Sequence, residues 1–529
     1  MTLSHNLKTV IFILIAFIFS FSVRLIWVDH FASYEQFKFN NEFMINTNDG
    51  YYFAEGARDI IAGNHQENDL SPVDDAMSKL TAFLVQTLPF SFETIIFYMP
   101  AFFGSLLVIP LILIGRSFNK EDVGFIAALL ASIVWSYYNR TMVGYYDTDM
   151  LVIVFASFLL WSLLWAVRTK EDKYLLFTGL IIVFYKWWYS ASYSLSFAFL
   201  VIIGLYFLYL LFKKKEFEYE LKLMIFILAS MVLLPLWVSI ILIAGLYFGL
   251  KYINNLKVLF SVFGVGVVLL IITGGLNPII LRIEGYLFRS NDVVSETLTL
   301  HFFSVMQTVR EAGSIPFETF ANRISGNIIV FFLSIIGYIW FTVRHKEMLL
   351  ALPLVGLGFL AYGIPGLINA GGLRFTIYAV PVMALGIGFL IIESLRFGTN
   401  LYLKEKQKTI ALLGLASIAT VAILYPNIKH VQEYKVPTVF TKNEVKILDD
   451  LKKITEREDY VVTWWDYGYP IRFYSDVKTL VDGGKHSGAQ NFPVSFVLTS
   501  PQDVAAKMAR LDVEYKEKMF QMKKEKQKV

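Results

Sequence analysis

Asp147 and Asp149, which flank a single threonine, are the residues whose types and spacing best suit chemistry in this sequence. Carboxylates at positions i and i+2 can share one hard divalent cation, and oxygen-rich Mg²⁺ or Mn²⁺ sites are built in this way. The same pair is common where a helix begins, because aspartate caps the helix and complements its dipole. Arg140 lies shortly upstream and could orient a carboxylate or form a structural ion pair. Spacing alone leaves these alternatives open.

Asp49 opens a second polar cluster, in which Gly50 follows directly and Glu55, Arg58 and Asp59 come next. Asp-Gly is a turn signal, so a turn is the simpler interpretation of the pair. A catalytic carboxylate is the alternative.

Two more segments combine arginine with polar or flexible neighbours. Gln307-Thr308-Val309-Arg310-Glu311 is followed by Arg323, and Gly371-Gly372-Leu373 leads into Arg374. The planar guanidinium suits phosphate, although an arginine at the end of a membrane span can also anchor there by reaching towards water. The segment with Glu311 and Arg323 can equally be an amphipathic or flexible loop, which would suit a substrate gate.

The stretch Trp464-Trp465-Asp466-Tyr467-Gly468-Tyr469 places two indoles and two phenols around one carboxylate. An indole wall beside a carboxylate suits a ligand that has both apolar and hydroxyl-bearing parts. A small globular domain that packs its tryptophans internally is the alternative.

The elements that must position these residues are mainly membrane helices. The 529 residues are 56% hydrophobic and only 17% charged, and their mean hydropathy is +0.56. A bilayer core of ~30 Å requires apolar runs of roughly 17–25 residues. The continuous apolar stretch 221–250 must be divided, and we divide it near Pro235. There are then thirteen apolar runs: 8–28, 94–114, 122–137, 150–167, 173–187, 191–212, 221–234, 236–250, 257–275, 328–343, 348–365, 374–395 and 409–425.

Basic residues predict the orientation of these spans, because cytoplasmic loops carry an excess of lysine and arginine. If the N-terminus is cytoplasmic, Arg140 is the only lysine or arginine in the short outer loops 138–149 and 366–373. The basic loops then face the cytoplasm: 115–121, 168–172, 213–220, 251–256, 344–347 and 396–408. The outside receives the long loops 29–93 and 276–327 and the whole tail.

The sequence therefore predicts a membrane domain over residues 1–425 and a small mixed α/β outer domain over 426–529. The elements expected in the outer domain are a helix from Lys442 to Lys453, a buried strand over 460–465, a turn or loop over 481–488 and a helix from Pro501 onwards. The first apolar run is followed by Val28-Asp29-His30 rather than by small residues, which predicts an uncleaved signal anchor.

Composition also excludes several classes of function. Without cysteine, neither a disulfide nor a thiolate metal site can form. The net charge of +4 comes mostly from cytoplasmic loops and gives no reason to expect nucleic acid. Channels and carriers place charges at mid-membrane depth, whereas these spans are nearly free of charge. Carboxylates, arginines and aromatic residues on one side instead favour an enzyme that acts on a phosphate-bearing lipid at the outer leaflet.

In these residues the chain resembles the bacterial single-subunit oligosaccharyltransferases of the PglB type, relatives of the archaeal enzymes and of the eukaryotic catalytic subunit. The likeness extends from Asn48-Asp49-Gly50-Tyr51 through Trp464-Trp465-Asp466-Tyr467-Gly468-Tyr469 to Val481-Asp482-Gly483-Gly484-Lys485-His486. The Trp-Trp-Asp-Tyr-Gly element is highly specific, whereas Asp147-Thr148-Asp149 is weak by itself. The resemblance implies a GT-C fold with about thirteen transmembrane helices in a bacterial inner membrane, with the N-terminus cytoplasmic and the outer domain periplasmic.

The resemblance implies transfer of a glycan from a polyprenyl-pyrophosphate carrier to the asparagine amide of an acceptor. The implied residue sets are Asp49, Asp147, Asp149 and Glu311 for Mn²⁺ or Mg²⁺; Arg374, Tyr469 and His486 for pyrophosphate or glycan; and Trp464, Trp465, Asp466 and Arg323 for the acceptor. Asp49 and Glu311 would also bind the acceptor amide and so be catalytic. Arg323 would pair with an acid before the asparagine, which gives the sequon Asp/Glu-x-Asn-x-Ser/Thr.

The implied partners are the polyprenyl-pyrophosphate-linked oligosaccharide, acceptor polypeptides and membrane lipids, and we expect a monomer. One departure concerns the outer domain. Bacterial relatives continue past the equivalent of Val529 with a Met-x-x-Ile element that packs on the sequon pocket, and nothing after Pro501 supplies it, so we expect a truncated outer domain. Two alternatives therefore stay open: another GT-C polyprenyl-linked sugar transferase, or a noncatalytic partner of a chain that supplies the missing part.

Overall fold

The computed structural model describes residues 5–66, 69–253, 255–281, 311, 313, 315–363, 371–402, 404–486 and 490–527. The fold is mostly helical (76%), which confirms the predicted class. The α-helices are His5–Arg24, Ile26–Phe31, Gly50–Ala62, Ala76–Thr87, Phe92–Ser105, Val108–Ser117, Glu121–Ile133, Trp135–Tyr138, Asp149–Thr169, Lys173–Trp188, Ser192–Phe212, Glu218–Met231, Leu236–Leu250, Leu256–Ile272, Phe317–Ser325, Ile328–Arg344, Leu352–Leu360, Val380–Tyr402, Glu405–Glu433, Lys442–Lys452, Gly468–Ser475, Asn491–Thr499 and Gln502–Gln527.

Short strands and 3₁₀ segments connect these helices. Antiparallel strands Lys38–Phe39 and Glu42–Phe43 pair in the first long loop, and parallel strands Tyr460–Val461 and Lys478–Thr479 pair in the outer domain. Single 3₁₀ turns occupy Glu35–Phe37, Lys346–Ala351, Leu373–Ala379 and Trp465–Tyr467.

Each apolar run of the sequence contains a helix, because a chain inside a membrane must satisfy its backbone hydrogen bonds internally. Among the described residues, six helices are long and apolar enough to cross a membrane. A seventh is added if Phe317–Ser325 and Ile328–Arg344, which are bent by 66°, form one broken span. The multi-pass class is therefore confirmed, and the count of thirteen spans stays a prediction.

The predicted division near Pro235 coincides with an interruption of the backbone. One helix ends at Met231 and the next begins at Leu236, with Pro235 in its N-cap position. Proline cannot donate a backbone hydrogen bond, so the preceding carbonyls need other partners. The ammonium group of Lys186 donates to the carbonyls of Ser230 at 2.9 Å and Val232 at 2.6 Å.

Close approach of glycines packs the membrane helices that carry the site. A Cβ added at Gly115 would lie 2.7 Å from Gly124 Cα, and one at Gly386 would lie 2.8 Å from the backbone nitrogen of Tyr338. Small residues let helix backbones approach in this way and rigidify the bundle. Helix Val108–Ser117 therefore packs closely on Glu121–Ile133, and Val380–Tyr402 packs closely on Ile328–Arg344.

The helices predicted for the outer domain are confirmed. Helix Lys442–Lys452 begins with a capping box formed by Thr441 and Glu444, and helix Gln502–Gln527 covers the predicted C-terminal stretch. The predicted turn is seen over residues 482–486, where the Lys485 amide donates to the Asp482 carbonyl at 3.0 Å. Residues 487–489 of that prediction lie outside the described residues.

The buried strand predicted over residues 460–465 is wrong beyond Val461. The strand contains only Tyr460 and Val461, after which the chain turns into the 3₁₀ segment Trp465–Tyr467. Trp464 is 40% exposed. β-Branched and aromatic residues favour a strand, but these indoles lie on an accessible face rather than between two packed layers.

Candidate active site

A cavity of about 740 Å³ lies between the outer ends of the membrane helices and the outer domain. It is lined by residues from both domains, and these include Asp49, Arg140, Asp147, Asp149, Glu311, Arg374, Trp465, Asp466 and His486. The predicted metal ligands, the phosphate-binding arginine and part of the acceptor wall therefore share one space. Trp464, Tyr469 and Arg323 do not line it.

The loop that carries Asp147 and Asp149 is fixed by backbone contacts along its length. Gly144 has a φ of +78°, which a residue with a side chain adopts only with strain, and its amide donates to the Phe97 carbonyl at 2.8 Å. The carbonyl of Thr148 accepts a hydrogen bond from Trp188 Nε1 at 2.8 Å. Asp149 then begins a helix, which confirms the helix-start interpretation of this pair. Both aspartates also line the cavity, and their role as metal ligands stays a prediction.

Arg140 forms an ion pair with two of the predicted metal ligands. Its guanidinium donates to the carboxylates of Asp149 and Glu311, and its side chain is only 10% exposed. The ion pair that the sequence allowed is therefore present, and a role of Arg140 in orienting these carboxylates stays a prediction. Arg140 supplies positive charge where the carboxylates converge.

Asp49 lies at the start of helix Gly50–Ala62, and its carboxylate faces the cavity. The Asp-Gly pair is indeed a turn, closed by the Tyr52 amide on the Asp49 carbonyl at 3.1 Å, but this turn opens a helix. A Cβ at Gly50 would lie 2.6 Å from the Tyr146 carbonyl oxygen. Glycine is therefore needed here for the close approach of the helix to the loop before Asp147.

Crowding of the acids changes their protonation. Burial, with repulsion from Asp149 and Asp49, raises the pKa of Asp147 to about 8. Burial, with repulsion from Glu311 and Asp466, raises the pKa of Asp49 to about 6. Low dielectric and like charge both disfavour the ionised form. A divalent cation among these oxygens would relieve both effects, and hard oxygen donors suit Mg²⁺ or Mn²⁺.

A second group of acidic residues lies closer together than the cavity acids do. Among the described residues, Glu55, Asp59 and Asp69 have carboxylate oxygens within 4.8 Å of one another, whereas the cavity acids do not form such a group. Arg457 pairs with Asp59 and Asp69 at 2.5 Å each, and Arg472 pairs with Glu55 at 2.5 Å. Two arginines pair with the three acids of this second group, whereas among the described residues only Arg140 pairs with the four cavity acids. The cavity acids keep more uncompensated negative charge and therefore fit a divalent cation better.

The outer domain contributes an aromatic wall to the cavity. The indole of Trp465 stacks on the imidazole of His486 with ring centroids 4.4 Å apart and planes 16° apart. Asn48 Nδ2 donates to the Asp466 carbonyl at 2.5 Å, which ties the wall to the segment beside Asp49. Burial raises the pKa of the Asp466 carboxyl. The ring centroid of Trp464 is 6.5 Å from that of Trp465, and Trp464 does not line the cavity.

The remaining predicted residues lie around the cavity. Arg374 is exposed and lies over the ring of its neighbour Phe375 at 5.6 Å. Tyr469 is 8% exposed and packs on Tyr52 at 4.9 Å, so it lies behind the wall. Arg323 is 8% exposed, donates to Thr376 Oγ1 at 3.3 Å and forms no salt bridge with any described residue.

Two supporting residues could not be singled out from the sequence. Gly483 was part of a predicted turn, yet a Cβ there would lie 3.1 Å from Asp49 Oδ1 and 2.5 Å from Tyr469 Cε2. Arg472 is almost completely buried between Glu55 and Asp482. The position of Gly483 in a Gly-Gly pair was a visible signal for a close backbone approach, whereas no pattern marked Arg472.

Comparisons with known proteins find similarity over nearly the whole chain. Residues 6–432 match the family described as oligosaccharyl transferase STT3, N-terminal, and residues 457–529 match the STT3/PglB/AglB core domain. The undecaprenyl-diphosphooligosaccharide–protein glycotransferase of Campylobacter jejuni is 46% identical over 513 residues, which are 96% of this chain and 70% of that protein.

Two solved structures of the oligosaccharyltransferase of Archaeoglobus fulgidus share the fold. AglB in complex with an inhibitory peptide and a dolichol-phosphate matches with a TM-score of 0.66 at 15% identity, over 96% of this chain and 68% of that chain. The complex of that enzyme with zinc and sulfate matches with a TM-score of 0.61 at 14% identity, over 95% of this chain and 66% of that chain. The long family match and the 46% identity to the bacterial protein decide the classification: this chain belongs to the STT3/PglB/AglB family of oligosaccharyltransferases.

Proposed function

We propose that this chain transfers an oligosaccharide from a polyprenyl diphosphate carrier to the side-chain nitrogen of asparagine in an Asp/Glu-x-Asn-x-Ser/Thr sequon. The observation that carries the proposal is the single cavity in which Asp49, Asp147 and Asp149 face Trp465 and Asp466. The reaction occurs on the outer face of a bacterial inner membrane, in a GT-C arrangement with a cytoplasmic N-terminus.

Asp49 and Glu311 bind the acceptor amide. An amide nitrogen is a poor nucleophile because its lone pair is delocalised into the carbonyl. Two carboxylates that accept its two N–H bonds favour a twisted amide, in which the lone pair becomes available as the transition state is approached. Both residues line the cavity, which supports this assignment.

Asp49, Asp147, Asp149 and Glu311 hold a divalent cation, with Mn²⁺ or Mg²⁺ preferred for a site made only of oxygens. When bound, the cation stabilises negative charge that develops on the departing diphosphate. The raised pKa values of Asp49 and Asp147 support a site that is short of positive charge. The zinc complex of the archaeal relative also supports a divalent cation.

Arg374 and His486 bind the diphosphate. A guanidinium matches phosphate oxygens with paired N–H donors, and Arg374 is exposed at the cavity. His486 Nδ1 is 3.0 Å from the Asp482 carbonyl. A carbonyl can only accept, so Nδ1 carries a proton and Nε2 donates to phosphate only in the imidazolium form. Tyr469 is assigned to the same subsite through its place behind this wall.

Trp464, Trp465 and Asp466 receive the Ser or Thr hydroxyl of the sequon, and Arg323 pairs with the acidic residue before the asparagine. The buried guanidinium of Arg323 has only a hydroxyl partner among the described residues, and an incoming carboxylate would provide the missing negative charge. Direct attack of the acceptor nitrogen on the anomeric carbon breaks the bond to diphosphate. Inversion of configuration follows, since no enzyme nucleophile intervenes.

The test combines the purified full chain, an undecaprenyl-diphosphate-linked oligosaccharide, Mn²⁺ and a fluorescent peptide with an Asp-x-Asn-x-Thr sequence. We expect the peptide to gain the glycan and Asp49→Ala to abolish this transfer. Modification of lipid or glycan but never of peptide would indicate a different GT-C sugar transferase. Absence of all turnover, with transfer restored only by a second chain, would indicate a noncatalytic partner.

A further inference from the structure

Two short helices join the two halves of the cavity. Helix Gly50–Ala62 begins directly after Asp49, and helix Gly468–Ser475 begins directly after the 3₁₀ segment that contains Trp465. They pack together through aromatic residues, with the Tyr51 hydroxyl 3.0 Å from the Tyr474 hydroxyl. The distance between the cavity acids and the aromatic wall therefore depends on how these helices are held.

Arg472 is the buried cation at the centre of this pairing. Its side chain bridges Glu55 of the first helix, with Nη2 2.5 Å from Oε2, and Asp482 of the loop after the second helix, with Nη1 3.0 Å from Oδ2. All three residues are at most 3% exposed. A buried ion triad is expensive to desolvate and contributes little net stability over apolar packing. Its placement therefore requires a reason other than stability.

Asp482 connects Arg472 to the loop that lines the cavity. Its Oδ1 accepts the Gly484 amide at 2.9 Å, and its carbonyl accepts His486 Nδ1 at 3.0 Å. The imidazole held in this way is the ring that stacks on Trp465. One guanidinium, one carboxylate and one carbonyl thus fix both the position and the tautomer of His486.

The same loop limits the position of Asp49. Gly483 lies so close that a Cβ there would be 3.1 Å from Asp49 Oδ1. The ring of Tyr469 packs against the other side of Gly483, where that Cβ would be 2.5 Å from Tyr469 Cε2. Movement of the loop would therefore change the space around the catalytic carboxylate as well as the orientation of His486.

We propose that Arg472 is a positioning residue for glycan transfer. It holds loop 482–486 on helix Gly50–Ala62, so that His486, Trp465 and Asp49 keep the spacing that the carrier diphosphate and the acceptor require. Arg472 reaches none of the reacting groups itself. The kinetic part of this inference rests on the proposed function, whereas its structural part does not.

Arg457 provides a matched control in the same interface. It pairs with Asp59 and Asp69 at 2.5 Å each and with Asp476 at 2.7 Å. It therefore links Asp59 of the first helix to Asp476, which directly follows the second helix, and pairs with three carboxylates where Arg472 pairs with two. Among the described residues it forms no ion pair with loop 482–486. Loss of docking in general would affect both arginines, and loss of loop position would affect only Arg472.

The first measurement is hydrogen–deuterium exchange on the full chain in detergent, comparing wild type with Arg472→Lys and Arg457→Lys. Lysine keeps the charge but cannot contact two carboxylates through a planar fork. We expect faster exchange at Gly484 and Lys485 in Arg472→Lys only. Equal exchange of this segment in both variants would overturn the proposal, whatever reaction the chain catalyses.

The second measurement is a double-mutant cycle on kcat/KM for peptide glycosylation, with Arg472→Lys and His486→Ala alone and combined. We expect Arg472→Lys alone to lower kcat/KM by about 10- to 100-fold, as is typical when a residue that orients an active-site group is lost. In the His486→Ala background its effect should be clearly smaller, because the part that acts through His486 is already lost and only the part that acts through Asp49 remains.

Arg457→Lys should lower the unfolding midpoint by as much as Arg472→Lys and leave kcat/KM within about threefold of wild type. Additive effects of Arg472→Lys and His486→Ala, or an equal loss of kcat/KM in Arg457→Lys, would overturn the positioning role. If wild type fails to glycosylate any peptide, the proposed function fails, and the exchange measurement alone decides the role of Arg472.

Discussion

Asp147 and Asp49 are the individual residues whose protonation distinguishes this cavity from an ordinary acidic surface. Their pKa values, raised to about 8 and about 6, result from burial and from neighbouring carboxylates. At neutral pH, Asp147 therefore holds a proton that a metal ligand must release. Metal binding and proton release are linked in such sites.

We expect the apparent affinity for Mn²⁺ to increase as the pH rises from 6 to 8 and to level off above the pKa of Asp147. Each bound ion should displace about one proton at pH 7 and fewer at pH 9. Isothermal titration calorimetry in buffers with different ionisation enthalpies measures this number directly. Asp147→Asn should remove most of the pH dependence, and Asp147→Ala with Asp149→Ala should abolish metal dependence together with activity. An affinity that is constant from pH 6 to 8 would contradict the assignment.

Arg323 illustrates specificity at the scale of one residue. Its guanidinium is buried, and among the described residues its one side-chain hydrogen bond is to the Thr376 hydroxyl. Arg323→Leu should relax the requirement for an acidic residue before the asparagine, because leucine cannot form an ion pair with its carboxylate. Comparing kcat/KM for Asp-x-Asn-x-Thr and Ala-x-Asn-x-Thr peptides measures the effect, which we expect to be a loss of at least about tenfold in discrimination. An unchanged preference would place the recognition of that acid elsewhere.

At the scale of elements, helix Gly50–Ala62 sets the position of Asp49 by its close approach to the loop before Asp147. In an exposed helix, Gly→Ala gains about 1 kcal/mol from helix propensity. At Gly50 the added Cβ would lie 2.6 Å from a backbone carbonyl that cannot rotate away. Overpacking of this kind costs about 1–3 kcal/mol, so the clash outweighs the gain in propensity.

Gly50→Ala should therefore lower the free energy of unfolding and also reduce kcat by displacing Asp49. Gly56→Ala is the matched control in the same helix, since its Cβ would lie 2.7 Å from the Pro72 carbonyl oxygen, away from the cavity. It should lower stability to a similar extent and leave kcat of the folded protein near wild type. Thermal unfolding and peptide glycosylation of the two variants test this, and an equal effect of both on kcat would show that only stability matters.

The membrane helices could be predicted because a membrane imposes long apolar runs, and the break at Pro235 could be predicted because proline lacks an N–H donor. The end of the strand at Val461 could not, since Thr463, Trp464 and Trp465 have the composition of a strand whether or not a second layer covers them. The site acids could be grouped from family resemblance and topology. Arg472 could not be assigned, because its partners Glu55 and Asp482 are selected only by the packing of the chain.

At the scale of the whole molecule, the predicted orientation would place the cavity outside the cytoplasm. The chain contains no cysteine, so a single introduced cysteine reports its own side of the membrane without background. In intact cells, a membrane-impermeant maleimide should label Gln502→Cys in the outer domain and leave Lys213→Cys unlabelled until the membrane is opened. Labelling of Lys213→Cys in intact cells would reverse the predicted topology.

The contact between Asn48 and Asp466 joins residues 418 positions apart, and this separation has a consequence for biogenesis. At about 5–20 residues per second, a ribosome needs roughly 20–80 s to make the intervening chain. During that time Glu55, Asp59 and Asp69 have emerged without Arg457 and Arg472, and Asp49 has no aromatic wall opposite it. Charged side chains tolerate this delay because water on the outer face solvates them. Under the proposed function, a nascent chain therefore cannot catalyse glycan transfer before Trp465 and Asp466 have been made.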